Sequence, residues 1–205
     1  MTHETKSLRD DIAFIKALSE DSGRALSRDG AVMIAAGVVF GLNAFRFWAI
    51  AAGFLDWAKP TANWMGLDAL AVFLVILQVV IRQFRGVARG AASRAMSAAW
   101  TGVGLAFGVA VISLGIAAWR LQQPLLVLWV FPMILFTLYG AAWWIAFAVK
   151  RRGWFAGVAT GSFVTAFVCA LLTGRSDEWV VLGLGLFLWV AAPGVVILRE
   201  ARAAV

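Results

Sequence analysis

Histidine, cysteine and charge are the scarce ingredients of this sequence. The one histidine, His3, stands near the N-terminus. It leaves no Ser-His triad, no H-E-x-x-H zinc site and no axial histidine for haem. The one cysteine, Cys169, lies in an apolar run without a basic neighbour in sequence. An intramolecular disulfide is therefore excluded, and the thiol reads as a buried structural group. Only 14% of the residues are charged, against about 25% in soluble domains, which excludes a water-soluble globule. No P-loop, dinucleotide fingerprint or pair of intramembrane aspartates is present. The sequence thus offers no catalytic residue, no metal site and no cofactor site, and the expectation is a protein that is not an enzyme.

What is abundant is apolar sequence. Of 205 residues 62% are hydrophobic, with a mean hydropathy of +0.87, so the lipid bilayer is the expected solvent. Six apolar runs, near 31–55, 66–84, 98–119, 124–148, 154–173 and 179–198, are each long enough to span at about 20 residues per crossing. The expected fold is all-α: a six-helix transmembrane bundle over 31–205, preceded by a cytoplasmic amphipathic segment over 1–30. The polar, mixed-charge start gives no expectation of a cleavable signal peptide.

The net charge of +7 and pI near 10.8 do not indicate nucleic acid, because the basic residues fall between apolar runs and act as topology signals. With the N-terminus inside, fourteen of the 18 Lys and Arg residues lie on the cytoplasmic side, including Lys16, Arg28, Arg82, Arg94, Lys150, Arg152 and Arg199. Only Lys59, Arg120 and Arg175 lie outside, and Arg46 falls within the first span. That asymmetry predicts both termini in the cytoplasm. The tryptophans fit the same frame: Trp57, Trp64, Trp119 and Trp179 at outer boundaries and Trp100, Trp143, Trp144 and Trp154 at inner ones, as an interfacial belt.

Leu8, Ile12, Ile15 and Leu18 recur at helical spacing, predicting a short amphipathic helix from Ser7 to about Ala25. Its charge is mixed, so the bundle itself, a partner protein and the membrane surface all remain open as its docking place. Glycine pairs recur in the odd spans: Gly37/Gly41, Gly104/Gly108 and Gly153/Gly157/Gly161. Because small residues let backbones approach closely, these predict three similar hairpins with the odd helices at the centre.

Ionisable groups at membrane depth are expensive and stand out for that reason. Arg46 lies roughly 10–15 Å below the outer end of the first span at 1.5 Å per residue, with Asn43 one turn earlier on the same face. Asp68, at the start of the second span, is the preferred partner for Arg46 and Asp56 the second choice, with Asp177 and Glu178 also on that side. A structural ion pair and a ligand or ion site both fit the arrangement. Gln78 reads as an interhelical hydrogen bonder. Pro132, Pro193 and Gly194 mark a kink or a hinge in the fourth and sixth spans. The basic, partly apolar segment 82–97 fits either anionic lipid or a solvated topology signal.

The opening DDIAFIKALSEDSGRAL, followed by a glycine-containing span, resembles the start of small bacterial multi-span inner-membrane proteins that carry no assigned activity. The likeness covers about the first fifty residues. It implies a bacterial inner membrane and transfers no site. The functional expectation is a regulatory, sensory or assembly module whose cytoplasmic face engages a partner, with a small transporter or channel around Arg46 and Asn43 as the alternative. The expected partners are the bilayer and either another protein or further copies of this chain.

Overall fold

A 50-residue helix, α1 (Thr2–Ala51), opens the protein and sets its frame. The computed structural model describes residues 2–55, 65–83, 91–123 and 125–203, and the side chains of 27–55, 66–83, 98–123 and 125–203. The remaining helices are α2 (Met65–Gln83), α3 (Ala91–Arg120), α4 (Leu126–Lys150), α5 (Gly153–Leu171), α6 (Asp177–Leu186) and α7 (Ala192–Ala203), with a π turn at Phe187–Ala191 joining α6 to α7. Among the described residues six helical stretches are long and apolar enough to cross a membrane: Ser27–Ala51, Gly66–Gln83, Ala98–Arg120, Leu126–Lys150, Gly153–Leu171 and Asp177–Ala203. No strand occurs among them. Asp56, Trp57, Lys59 and Trp64 lie outside the described residues, as does much of 82–97.

The expected break between an N-terminal amphipathic helix and the first span is absent, since α1 runs through residue 30 without interruption. Ser27, Asp29 and Gly30 look like helix punctuation, but Gly30 is there for packing. A Cβ at Gly30 would stand 2.8 Å from the Gly194 carbonyl oxygen, and one at Gly194 would stand 2.8 Å from the Gly30 oxygen. The two backbones touch, and a side chain at either position would push α1 off α7.

Helix α4 stops because Arg151 takes a left-handed conformation (φ 54°), and its N–H donates to the Phe147 carbonyl at 2.7 Å. Arg152 is extended and α5 begins at Gly153. So short a connection holds α4 and α5 antiparallel, and Trp143 and Ala146 of α4 pack on Phe155, Val158 and Ala159 of α5. A second core cluster joins Ala44 of α1, Phe136 of α4, Ala166 and Cys169 of α5, Leu182 and Leu186 of α6 and Val190 of the π turn.

The packing runs in the spatial order α2, α1, the α6–α7 span, α5, α4, α3. The share of buried residues falls from 44% in the α6–α7 span and 39% in α5 to 11% in α2 and 6% in α3. The odd helices therefore do not gather at the centre, because α3 packs on α4 at one edge of the arc. Gly104, Gly108 and Gly157 meet no atom within 4 Å of a hypothetical Cβ. Of the glycines assigned to an odd-helix core, Gly161 packs against the Trp189 ring, Gly37 against the Ala191 backbone and Gly41 against the Phe187 ring. A glycine pair alone does not say whether a helix turns it toward protein or away, which is why the repeat misled.

Three further differences concern polar and bent positions. Gln78 faces outward on α2 and makes no interhelical hydrogen bond among the described residues. The interhelical bond comes instead from Trp189, whose indole N–H donates to Thr165 Oγ1 at 2.8 Å, while that hydroxyl donates to the Gly161 carbonyl at 2.8 Å. Pro132 is buried within a continuous α4. Pro193 is the second residue of α7, and the π turn just before it has a wider ring that accommodates a proline that lacks a donor and crowds the preceding turn. With Pro193 and Gly194 buried and Gly194 pressed on Gly30, this segment is a packed bend.

Candidate functional site

Arg46 sits one turn and a half before the end of α1, which packs on both α2 and α6. Asp68 stands in the first turn of α2, where a carboxylate is favoured by the amide end of the helix dipole. Arg46 Nη2 donates to Asp68 Oδ2 at 2.6 Å, and Asp68 Oδ1 accepts from the Ala69 N–H at 2.7 Å. Their side chains remain 37% and 50% exposed, so the pair lies at the rim of the bundle. Asn43 is half-buried one turn below, and its Oδ1 meets no donor among the described residues.

Next to this pair, aromatic rings bind α1 to the sixth span. Phe47 stacks on Trp179 with centroids 4.7 Å apart, Phe45 stacks on Phe187 at 6.1 Å, and Phe40 meets Phe73 of α2 at 5.3 Å. The Arg46 side chain thus emerges from a wall of rings toward the only acid that α2 places within reach.

Three acids are described at this end of the bundle, and they differ in how they are satisfied. Asp68 pairs with Arg46, and Asp177 pairs with Arg175 at 3.1 Å on the surface. Glu178, one residue further, is 3% exposed. Its Oε2 accepts the Gly174 N–H at 3.2 Å and its Oε1 has no donor among the described residues. Sequence reading placed Glu178 in a loop as a spare partner for Arg46. It is instead the second residue of α6, turned inward, and only the i to i+4 relation to Gly174 and the turn at Gly174 (φ 81°) hint at that.

At the opposite end, Arg152 pairs with Glu200 of α7, and Lys150 lies 5.8 Å over the Phe155 ring. Trp143 occupies the middle of an aromatic cluster with Trp100, Tyr139, Trp154 and Phe155 at centroid distances of 5.2–6.2 Å. At 2% exposure it is a core residue rather than a belt residue. Trp144 and Trp119 are 52% and 72% exposed and face away from the core. Cys169 is fully buried.

A cleft of about 500 Å³ along α2 is lined by Leu74, Val75, Gln78, Val79 and Arg82 among others, and one of about 340 Å³ by Gly115, Ala118, Trp119, Gln122 and Val127. Neither reaches Arg46 or Asn43. Among the described residues no three His, Cys, Asp or Glu side chains gather in metal-binding geometry. Comparisons with protein families, with curated proteins and with solved structures give no match to this chain. Among the described residues, this end of the bundle holds one interhelical ion pair, Arg46–Asp68, and one buried carboxyl, Glu178.

Proposed function

We propose that this protein is a non-enzymatic module of a bacterial inner membrane that engages a partner protein through its cytoplasmic face. In this reading the six spans form three hairpins with both termini in the cytoplasm. The observation that carries it is the length of α1. The helix begins at Thr2, whereas its membrane-competent stretch begins only at Ser27. The additional 25 residues are continuous helix, about 38 Å at the helical rise. They carry Leu8, Ile12, Ile15 and Leu18 along one side amid mixed charge. A helical arm with an apolar stripe, fused to a membrane anchor, suits helix-in-groove recognition. The sidedness is supported by basic residues: Arg28, Arg82, Lys150, Arg151, Arg152, Arg199 and Arg202 lie at the arm's end, and Arg120 and Arg175 at the other.

Photo-crosslinking in native membranes tests the arm. A photoreactive residue at Ile12 or Ile15 is expected to give one discrete heterologous product, whereas the same residue at Ala17, on the opposite side of the helix, gives none. Products confined to lipid or to this chain would overturn the proposal.

The Asn43 carbonyl one turn from Arg46, which meets no donor among the described residues, favours a second reading, a small transporter or channel with its polar site there. In reconstituted vesicles, intact transport by a folded Arg46→Ala protein would remove Arg46 from any such pathway.

A further inference from the structure

Charge is divided unevenly between the two ends of the bundle. Among the residues whose side chains are described, Arg46, Arg120 and Arg175 at one end share it with Asp68, Asp177 and Glu178. At the other end, where the arm joins, the only such acids are Asp29 and Glu200, and Lys150, Arg151, Arg152, Arg199 and Arg202 outnumber them. Arg28 pairs with Asp29 at 3.2 Å and Arg152 pairs with Glu200. Lys150 feels the charges of Asp29, Arg152 and Glu200 together, so α1, the end of α4, the start of α5 and α7 converge there. Arg151, by contrast, is exposed and meets no acid among the described residues. Its backbone is fixed by the left-handed turn that ends α4.

Beside Arg151 the start of α5 is left without a cap. Arg152, its N-cap residue, makes no side-chain cap bond, and the first turn contains no acid. Gly153 is exposed, and a Cβ there would meet no atom within 4 Å. The amide end of a 19-residue helix, with its partial positive charge, therefore faces open space. One residue on, the Trp154 ring packs against Phe155 at 4.1 Å and Trp143 at 5.5 Å, and its Nε1 is buried without an acceptor among the described residues. An indole N–H can only donate, and a shielded donor is costly to leave unanswered. Below the turn, Gly153, Gly157, Thr160 and Val164 recur at helical spacing and are all exposed, with Gly157 as open as Gly153. That strip leads from the turn along the membrane-competent stretch of α5.

We infer that the α4–α5 turn is a headgroup site for an anionic phospholipid. The phosphate sits between the Arg151 guanidinium and the first amides of α5 and accepts the Trp154 N–H, and an acyl chain follows the strip from Gly153 to Val164. A phosphate supplies several acceptor oxygens, which suits a guanidinium, helix amides and an indole that all lack one. The apolar strip selects a lipid over a soluble anion, because it continues the site into the bilayer from headgroup depth. This inference does not depend on the docking arm, and its test touches neither the arm nor the Arg46–Asp68 pair.

The experiment titrates the full chain in a non-ionic detergent with dioleoylphosphatidylglycerol or dioleoylphosphatidylcholine, and reads occupancy by the first lipid in native mass spectrometry. Phosphatidylglycerol is expected to bind about tenfold more tightly, as one or two basic residues at the headgroup would give. Trp154→Phe keeps a ring and removes the donor, and it should weaken phosphatidylglycerol about tenfold, as loss of a hydrogen bond to a charged group does. Arg151→Asn, which tolerates the left-handed backbone, should weaken it to a similar degree. Arg82→Gln removes the same charge from α2, across the bundle from the α4–α5 turn, and should change binding by less than about twofold. Should Trp154→Phe fail to fold, the comparison of Arg151→Asn with Arg82→Gln still decides, since both positions are exposed. Equal affinity for the two lipids would overturn the proposal, and so would equal losses in Arg151→Asn and Arg82→Gln, the mark of diffuse charge. Displacement of the bound lipid by inorganic phosphate would make a soluble anion the occupant and overturn it as well.

Discussion

At the scale of single residues, the arginine at membrane depth and the buried glutamate show two ways of handling charge. Arg46 is near enough to the end of α1 to reach an acid at the first turn of α2, and the 2.6 Å contact to Asp68 results. Because both side chains are more than a third exposed, the pair contributes modestly, on the order of 0.5–1 kcal/mol. In a double-mutant cycle followed by denaturation in mixed micelles, Arg46→Ala and Asp68→Ala are each expected to lower stability. Their combination should cost less than the sum by about that amount. Fully additive effects would show that the two side chains do not interact. Among the described residues Glu178 has no such partner, and its inward position was not legible from a loop containing Arg175, Asp177 and Glu178. Which of two neighbouring acids turns inward depends on where the first turn of α6 meets α5.

At the scale of elements, the decisive contacts are between backbones. Helix α1 lies against the π turn and α7 so closely that a Cβ at Gly37 would stand 2.5 Å from the Ala191 backbone nitrogen. Nothing comparable surrounds Gly104 on α3. Gly37→Ala is therefore expected to destabilise the bundle by about 1–3 kcal/mol, since overpacking against backbone has no rotamer through which to escape. Gly104→Ala should be neutral or stabilising by up to about 1 kcal/mol, from helix propensity alone. Thermal stability of the two purified variants compares them directly, and equal losses would place α3 in the core after all. The same close approach lets Trp189 lie across Gly161 and reach the Thr165 hydroxyl, so one glycine, one threonine and one tryptophan join α5 to the sixth span.

At the scale of the whole molecule, the proposed sidedness makes a prediction about access. With Cys169 replaced by alanine, single cysteines at Gln122 and Arg175 are expected to react with an impermeant thiol reagent added outside intact cells. A cysteine at Arg151 should react only after the inner face is exposed. Gln122→Cys labelled only from the cytoplasm would reverse the orientation. The sequence by itself determined the class of fold and the six apolar stretches, and it put Asp68 first among the acids open to Arg46. Hydropathy is a property of local composition, and an arginine near a helix end can reach only a few acids. Only the tertiary structure decided which helices are central, that Gly37 and Gly161 pack while Gly104 and Gly108 do not, that Trp143 is core and Trp144 rim, and that α1 continues unbroken through Gly30. Each of those depends on the rotation of a helix about its axis relative to its neighbours. In a chain apolar on nearly every face, no hydrophobic period records that angle.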